Sequence, residues 1–414
     1  MKIRIKVAFL FLFVFMTALN VSGCETNLPE PAADIPAVAD NKLVLMTKDN
    51  NLENFDLYIK NMEKATGLDI EVVAEPLNPN DRLAKISTIL SSGDKSVDIL
   101  NINDEMLSSF KWQGYLEPLQ IDVMTDEVKE NFHEKYLKEM CMTGENIYSV
   151  PMHMEFLAFC VDTKRLEECG IESIENKEQF VEFLKRCREK GIYGYGGAWE
   201  KSYAFNEIGQ FINMFGGDFF DWSNEKTIEA MKFIKTLASE DLISIDSMVQ
   251  RYDAMLEKFT NGEYGCVFMW NGVNNSTKNN ENTNHMAPVP VFEKETVYTA
   301  TWHYVLNKSS TSKENAYKFL KYAASKEGQL MEAEVLNRVP ARYDAIYDES
   351  FDTYDLEVTK DYIENTELKA RPIPHDSMAF IDSLGSIYQK YMLDEIEIEE
   401  FCTGAQELVD MYFK

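Results

Sequence analysis

Between Lys42 and Ile102 the apolar residues switch repeatedly between strand-like and helix-like spacing, and this constrains the fold more than any other feature of the chain. Lys42–Thr47 (KLVLMT) reads as a short strand. Leu52, Phe55, Ile59, Met62 and Ala65 then recur at three or four residue spacing and stop at Gly67, as an amphipathic helix does. Asp69–Ala74 (DIEVVA) is a second strand. Leu83, Ile86 and Ile89/Leu90 mark a second helix, ended by Ser91-Ser92-Gly93, and Val97–Ile102 (VDILNI) is a third strand. Parallel neighbours need a crossover, and each crossover helix must bury its apolar stripe on the sheet. The order therefore predicts an α/β fold: an open, mostly parallel sheet with helices on both faces.

Beyond residue 150 the pattern is richer in helix. Stripes fall at Phe180, Phe183/Leu184 and Cys187, at Phe205, Ile208, Phe211/Ile212 and Phe215, and at Ile228, Met231, Ile234 and Leu237 after Ser223-Asn224. Tyr264–Trp270 (YGCVFMW) returns to strand. Thr311-x-x-Glu314 has the form of a capping box for a helix carrying Ala316, Phe319, Leu320 and Ala323. Two long stripes, Met378–Tyr391 and Ile398–Met411, close the chain, and the polar run 274–284 (NNSTKNNENTN) reads as an exposed loop.

The N-terminus points to export. Lys2, Arg4 and Lys6 precede an uncharged, largely apolar run from Val7 to Leu19, too short to span a bilayer that needs about 20 residues. Val21-Ser22-Gly23-Cys24 follows and resembles the lipobox of bacterial lipoproteins. That resemblance implies a signal peptide at 1–23 and a diacylglycerol thioether on Cys24, acyl chains enough for stable anchoring. Residues 24–41 are rich in Pro and acid and read as a flexible tether reaching about 50 Å.

Charge narrows the partners. The chain carries 41 Lys+Arg against 70 Asp+Glu, a net charge of −29, and the part after residue 23 carries −32. Nucleic acid and anionic lipid headgroups are polyanions that require Lys/Arg neutralisation, so neither is an expected partner. With 45% hydrophobic and 12% aromatic residues, the chain has the material for a sizeable core. Cys141, Cys160, Cys169, Cys187, Cys266 and Cys402 sit in apolar runs or on helical stripes and read as small buried hydrophobes, with one or two disulfides as the alternative. The chain has no Cys-x-x-Cys pair and its five His are scattered, so no metal site or cofactor is expected.

The order of these segments resembles that of bacterial extracellular solute-binding proteins of ABC importers, nearest to the maltose/oligosaccharide-binding type. The resemblance rests on Thr66-Gly67, on Asp81–Ser92 followed by Val97-Asp98-Ile99, and on Phe110-x-x-x-Gly114-x-Leu116-x-Pro118-Leu119. It continues through Gly144–Val161, Phe259-x-x-Gly262-x-Tyr264-Gly265, Pro288–Pro290, Trp302–Asn307, Lys313–Ala316 and Val339-Pro340-Ala341-Arg342. It implies a two-lobed, periplasmic-binding-protein-like fold with a hinge of crossing strands. One lobe would hold 42–150 and 303–338, the other 151–302 and 339–414. It further implies a lipid-anchored monomer on the outer face of the cytoplasmic membrane of a Gram-positive bacterium, delivering a small solute to an ABC permease.

A sugar presents C–H faces and a fringe of hydroxyls, so its site needs aromatic platforms with carboxylates and donors beside them. By residue type and family position the candidates are Trp199, Trp270 and Trp302 as platforms, with packing in the hinge or core as the alternative for each. The polar candidates are Asp49 and Asn50 after the first strand, Asp104 (or Glu105) after the third, and Glu155, an acid interrupting an apolar strand. Asn274, Arg342 and Asp376 complete the set, with a lobe-bridging ion pair as the alternative for Arg342. The expected function is carbohydrate capture without catalysis. The alternatives are another solute, such as a peptide or polyamine, and a surface-tethered carbohydrate-active enzyme. Gly-x-Ser-x-Gly, His-Glu-x-x-His and P-loop motifs are all missing, and with 70 acids a carboxylate pair has no specificity.

Overall fold

A computed structural model describes residues 41–76, 78–274 and 284–414, with the side chains of 273 and 274 outside the description. The expected signal peptide, Cys24, the tether up to residue 40 and residues 275–283 of the expected loop 274–284 also lie outside the described residues; Asn274 ends a short helix and Asn284 begins a strand.

The opening alternation folds as β1 (Lys42–Thr47), α1 (Phe55–Thr66), β2 (Asp69–Ala74), α2 (Pro79–Ser91), β3 (Ile99–Asn103) and α3 (Asp104–Trp112). Gly67, at φ 71°, ends α1 in the left-handed conformation that a residue without Cβ adopts at least cost. Pro79 opens α2, while the Asn78 side chain accepts from the Asn80 and Asp81 amides. Two boundaries differ from the sequence pattern. Leu52 precedes α1, and β3 starts at Ile99 because Asp98 spends its side chain on the Val44 amide and the Ser310 hydroxyl.

β1 lies between β2 and β3, parallel to both. The sheet is completed by two antiparallel strands, Trp302–Leu306 beside β3 and Val150–Pro151 beyond it. A second sheet is built on Glu155–Asp162, which pairs antiparallel with Tyr264–Trp270, Asn284–Ala287 and Thr296–Ala300. Tyr193–Gly196 and Glu367–Ala370 extend it at its two sides as parallel neighbours. Each sheet has its own core. Leu45, Ile99, Ile102, Val305 and Phe319 are fully buried in one. In the other, Phe268 packs 5.4 Å from Phe159 and 5.9 Å from Phe211, ring centre to ring centre.

Two lobes result, joined by three adjacent segments. The Met152 amide bonds the Trp302 carbonyl at 2.8 Å, the Met154 amide bonds the Val339 carbonyl at 2.8 Å, and His153 bridges to Pro340. The helix at Lys313–Ala323 forms as expected, but its N-cap is Ser312 and no side chain caps it, so Thr311-x-x-Glu314 does not act as a capping box. All six described cysteines are buried and unbridged, with Cys169 and Cys187 Sγ atoms 3.8 Å apart. Among the described residues no helix is long and apolar enough to cross a membrane.

The helix Ala204–Met214 is buried on every face, yet it carries Glu207. That carboxylate accepts from the Tyr195 hydroxyl, from the Ala198 amide at 2.8 Å and from the Trp199 indole at 2.9 Å. Burial outweighs these donors and pushes the acid up to about 7. The folded protein therefore binds a proton there at pH values where the unfolded chain has released it. Stability is expected to fall by about 3 kcal/mol as pH rises from about 4.5 to about 7 on account of this group. A Glu207→Gln variant should lose that slope in urea unfolding measured across the window; an unchanged slope would show that Glu207 is not its source.

Candidate functional site

The C-terminal ends of β1, β3 and Tyr264–Trp270 open on one cleft of about 640 Å³, the position at which open α/β sheets present loops to ligands. Trp302 and Thr301 line it from the crossing segment. Lys48, Asn80, Arg82, Asn103 and Glu105 line the first-lobe side, and Glu155, Tyr203, Asn206, Arg251, Tyr252, Trp270 and Arg371 the second-lobe side.

Of the residues singled out in the sequence, Glu155, Trp270 and Trp302 lie on this cleft. Glu155 faces Arg338 at 3.4 Å and His153 at 3.5 Å. Burial works against its charge, but His153 and Arg338 prevail and hold the carboxyl below its ordinary range. His153 is in turn 3.1 Å from Glu332; burial and Arg338 oppose its protonation, and the two glutamates raise it nonetheless. Trp302 carries the Lys48 ammonium 4.0 Å from its ring centre and the Arg82 guanidinium at 5.5 Å. Trp270 has Arg371 at 5.4 Å.

The other candidates are not on the cleft wall. Asp49 is 2% exposed, turned inward against Lys48 at 2.9 Å. Its neighbour Asn50 is partly buried and off the cleft. Asp104, fully buried, accepts from Tyr136 at 2.9 Å and from the Thr301 amide at 3.2 Å, with Arg371 at 3.3 Å and His303 at 3.4 Å. Burial would raise Asp104, but Arg371, His303 and the Thr301 amide together hold it low. It anchors the wall from behind, and the next residue, Glu105, reaches the cleft.

Trp199 is 1% exposed and belongs to the second core. Arg342 forks onto Asp344 at 2.8 and 2.7 Å and donates to the Ala324 carbonyl, an ion pair made two residues away and not across the cleft. Asp376 is exposed at the start of the helix Ser377–Met392, and Asn274 has its side chain outside the described residues.

Several cleft residues had no sequence signal. Tyr203 and Tyr252 meet edge to face at 5.5 Å, from a loop and from the start of the helix Tyr252–Thr260. Arg371 follows the strand Glu367–Ala370 and reaches back to Glu105 at 2.7 Å and Asn206 at 3.0 Å. Its only mark in the sequence is an Arg before Pro372. Glu105 Oε2 is buried and has no hydrogen-bond partner. Rings, amides, carboxylates and guanidinium groups thus face one space from both lobes, an arrangement suited to holding a polar ring by its faces and its edge. Among the described residues no group of three or more His, Cys, Asp or Glu is arranged to hold a metal ion.

The family described as bacterial extracellular solute-binding protein matches residues 48–330. Among solved structures, maltose-bound MalE3 of T. maritima has a TM-score of 0.76 at 16% identity, over 89% of this chain and 99% of that one. The GacH receptor of Streptomyces glaucescens, solved unliganded and with acarbose, has a TM-score of 0.76 at 17% identity, over 90% and 99%. A solute-binding protein of Agrobacterium vitis with bound D-mannitol gives 0.71 at 16%, over 89% and 97%. At such identities the likeness is one of fold.

Proposed function

The chain belongs to the family of bacterial extracellular solute-binding proteins, and from that premise we propose that it captures a mono- or oligosaccharide between its lobes for delivery to an ABC permease. The observation that carries this reading is the convergence of Trp270, Trp302, Tyr203 and Tyr252 with Glu105, Glu155 and Arg371 on one cleft. Flat rings take the C–H faces of a sugar, and charged groups take its hydroxyls in charge-assisted hydrogen bonds. Maltose, acarbose and mannitol in the similar structures named above support the same class of ligand.

In this reading 42–150 with 303–338 and 151–302 with 339–414 move as two bodies about the crossing segments. A ligand touching both bodies favours the closed arrangement because only there are all its contacts made. A thermal-shift panel tests the ligand class, since a ligand that binds only the folded state stabilises it by RT ln(1 + [L]/Kd). Saccharides are expected to raise the melting temperature; a shift from peptides or polyamines with none from saccharides would refute the carbohydrate assignment.

Cys24 is the proposed lipid attachment point, with the protein held on the outer face of the membrane as a monomer. A Cys24→Ala variant is expected to leave the membrane fraction on cell fractionation, and its full retention there would refute the anchor.

A further inference from the structure

The first acid after each of β1 and β3 faces inward, and this changes the chemistry of the first-lobe wall. Asp49 and Asp104 are buried, and Lys48, Asn80, Arg82 and Asn103 stand at the cleft in their place. Among the described residues Glu105 is the carboxylate on that side, and its Oε1 is already taken by Arg371 at 2.7 Å. The wall therefore offers mainly hydrogen-bond donors and positive charge. Five basic residues and four acidic ones line the whole cleft, in a chain that holds 41 bases and 70 acids. The surplus of acid is elsewhere.

Two cations lie against the one aromatic ring of this wall. Lys48 Nζ is 4.0 Å from the Trp302 ring centre and Arg82 is 5.5 Å from it. A neutral sugar stacking on the face beneath Lys48 would have to displace an ammonium from a favourable cation–π contact. Lys48 gives one N–H to Asp49 at 2.9 Å, and an ammonium has three. Arg82 is held at Nε by the Pro76 carbonyl at 3.1 Å, with Glu75 at 3.3 Å. Burial outweighs Arg82 and pushes the Glu75 carboxyl up to about 8. Across the cleft, Trp270 and the Tyr203–Tyr252 pair supply rings. Arg371 is 5.4 Å from Trp270 and Arg251 5.9 Å from Tyr203, and among the described residues no ammonium is as near to these rings as Lys48 is to Trp302.

We propose that the ligand is an anionic carbohydrate, with its acid group (a uronate carboxylate, or a phosphate or sulfate ester) held by Lys48 and Arg82 and its ring against Trp270, Tyr203 and Tyr252. This rests on the carbohydrate reading and adds charge and orientation to it. The wall supplies positive charge from Lys48 and Arg82, which suits an oxyacid group better than a hydroxyl.

The test uses matched probes on the full folded domain: digalacturonate against galactobiose, glucuronate against glucose, and glucose 6-phosphate and 6-sulfate against glucose. Calorimetry is expected to show the acidic member of at least one pair binding about tenfold more tightly or better. That preference should weaken between about 50 and 500 mM NaCl as screening grows. The pair that discriminates identifies the acid group. Lys48→Gln should remove most of the preference by weakening binding of the acidic member about tenfold, with the unliganded melting curve reporting the fold; if that variant does not fold, the salt dependence of the wild type decides. Neutral members binding as tightly as acidic ones would overturn the anionic assignment and leave the carbohydrate reading standing. No binding by either series, with binding of a peptide or polyamine, would overturn both.

Discussion

An Arg371→Met variant is expected to be less stable than the wild type by about 3–5 kcal/mol at neutral pH, because it strands two acids beside one emptied position. Arg371 is buried and meets Asp104 at 3.3 Å and Glu105 at 2.7 Å. Burial works against its own charge, and the two carboxylates overcome it and raise its affinity for the proton. In the wild type Asp104 is held low, so it contributes stability above its unfolded pKa and loses it as pH falls through the folded value. Without Arg371, burial acts on Asp104 with His303, the Thr301 amide and the Tyr136 hydroxyl left to oppose it. The destabilisation should therefore be largest near neutrality and shrink in acid, as Asp104 of the variant takes up a proton. Urea unfolding at neutral and at acid pH measures this. Adding Asp104→Asn to the variant should recover part of the loss, and a small, pH-independent loss would show that the cluster does not hold the wall.

The second large effect separates two tryptophans that look alike in the sequence. Trp199→Ala is expected to cost about 3–5 kcal/mol, as removal of a large ring from a packed core does. The indole meets Tyr388 edge to face at 5.8 Å and donates to Glu207 at 2.9 Å. It also lies so close to Gly197 that a Cβ there would come within 2.5 Å of the ring. Trp270, partly exposed at the end of its strand, should behave in the opposite way. Trp270→Ala is expected to change unfolding by about 1 kcal/mol or less and to weaken ligand binding by about 2 kcal/mol or more. Chemical unfolding and titration of both variants check this pair; equal effects on stability would contradict the placement of Trp199 in the core and Trp270 on the cleft.

Much of the fold is legible because periodicity reports burial. The stripes of α1, α2 and the helix Glu225–Ser239 each name the face that is buried. Orientation within turns is not periodic, and there legibility stops. Lys48 and Asp49 are adjacent, and only the folded turn decides that the acid goes inward to the lysine and the lysine outward to Trp302. Asp104 and Glu105 divide in the same way at the start of α3. Trp199 follows a glycine run that suggests an open loop, but the acid that draws its indole inward sits on the next helix. Arg82, Tyr203, Tyr252 and Arg371 come together from distant parts of the chain, and no local pattern marks them. Glu155 was legible for a local reason: an acid at the head of an apolar strand requires partners, and His153 and Arg338 are those partners.

Saccharide binding in the cleft between the lobes should depend on the Trp270 ring. Calorimetric titration of the wild type and of Trp270→Ala, with the saccharide giving the largest thermal shift, tests it most directly. Saturable one-to-one binding is expected for the wild type and binding at least about thirtyfold weaker for the variant, with the variant's unliganded unfolding curve nearly unchanged. Equal affinity for the two proteins would contradict it.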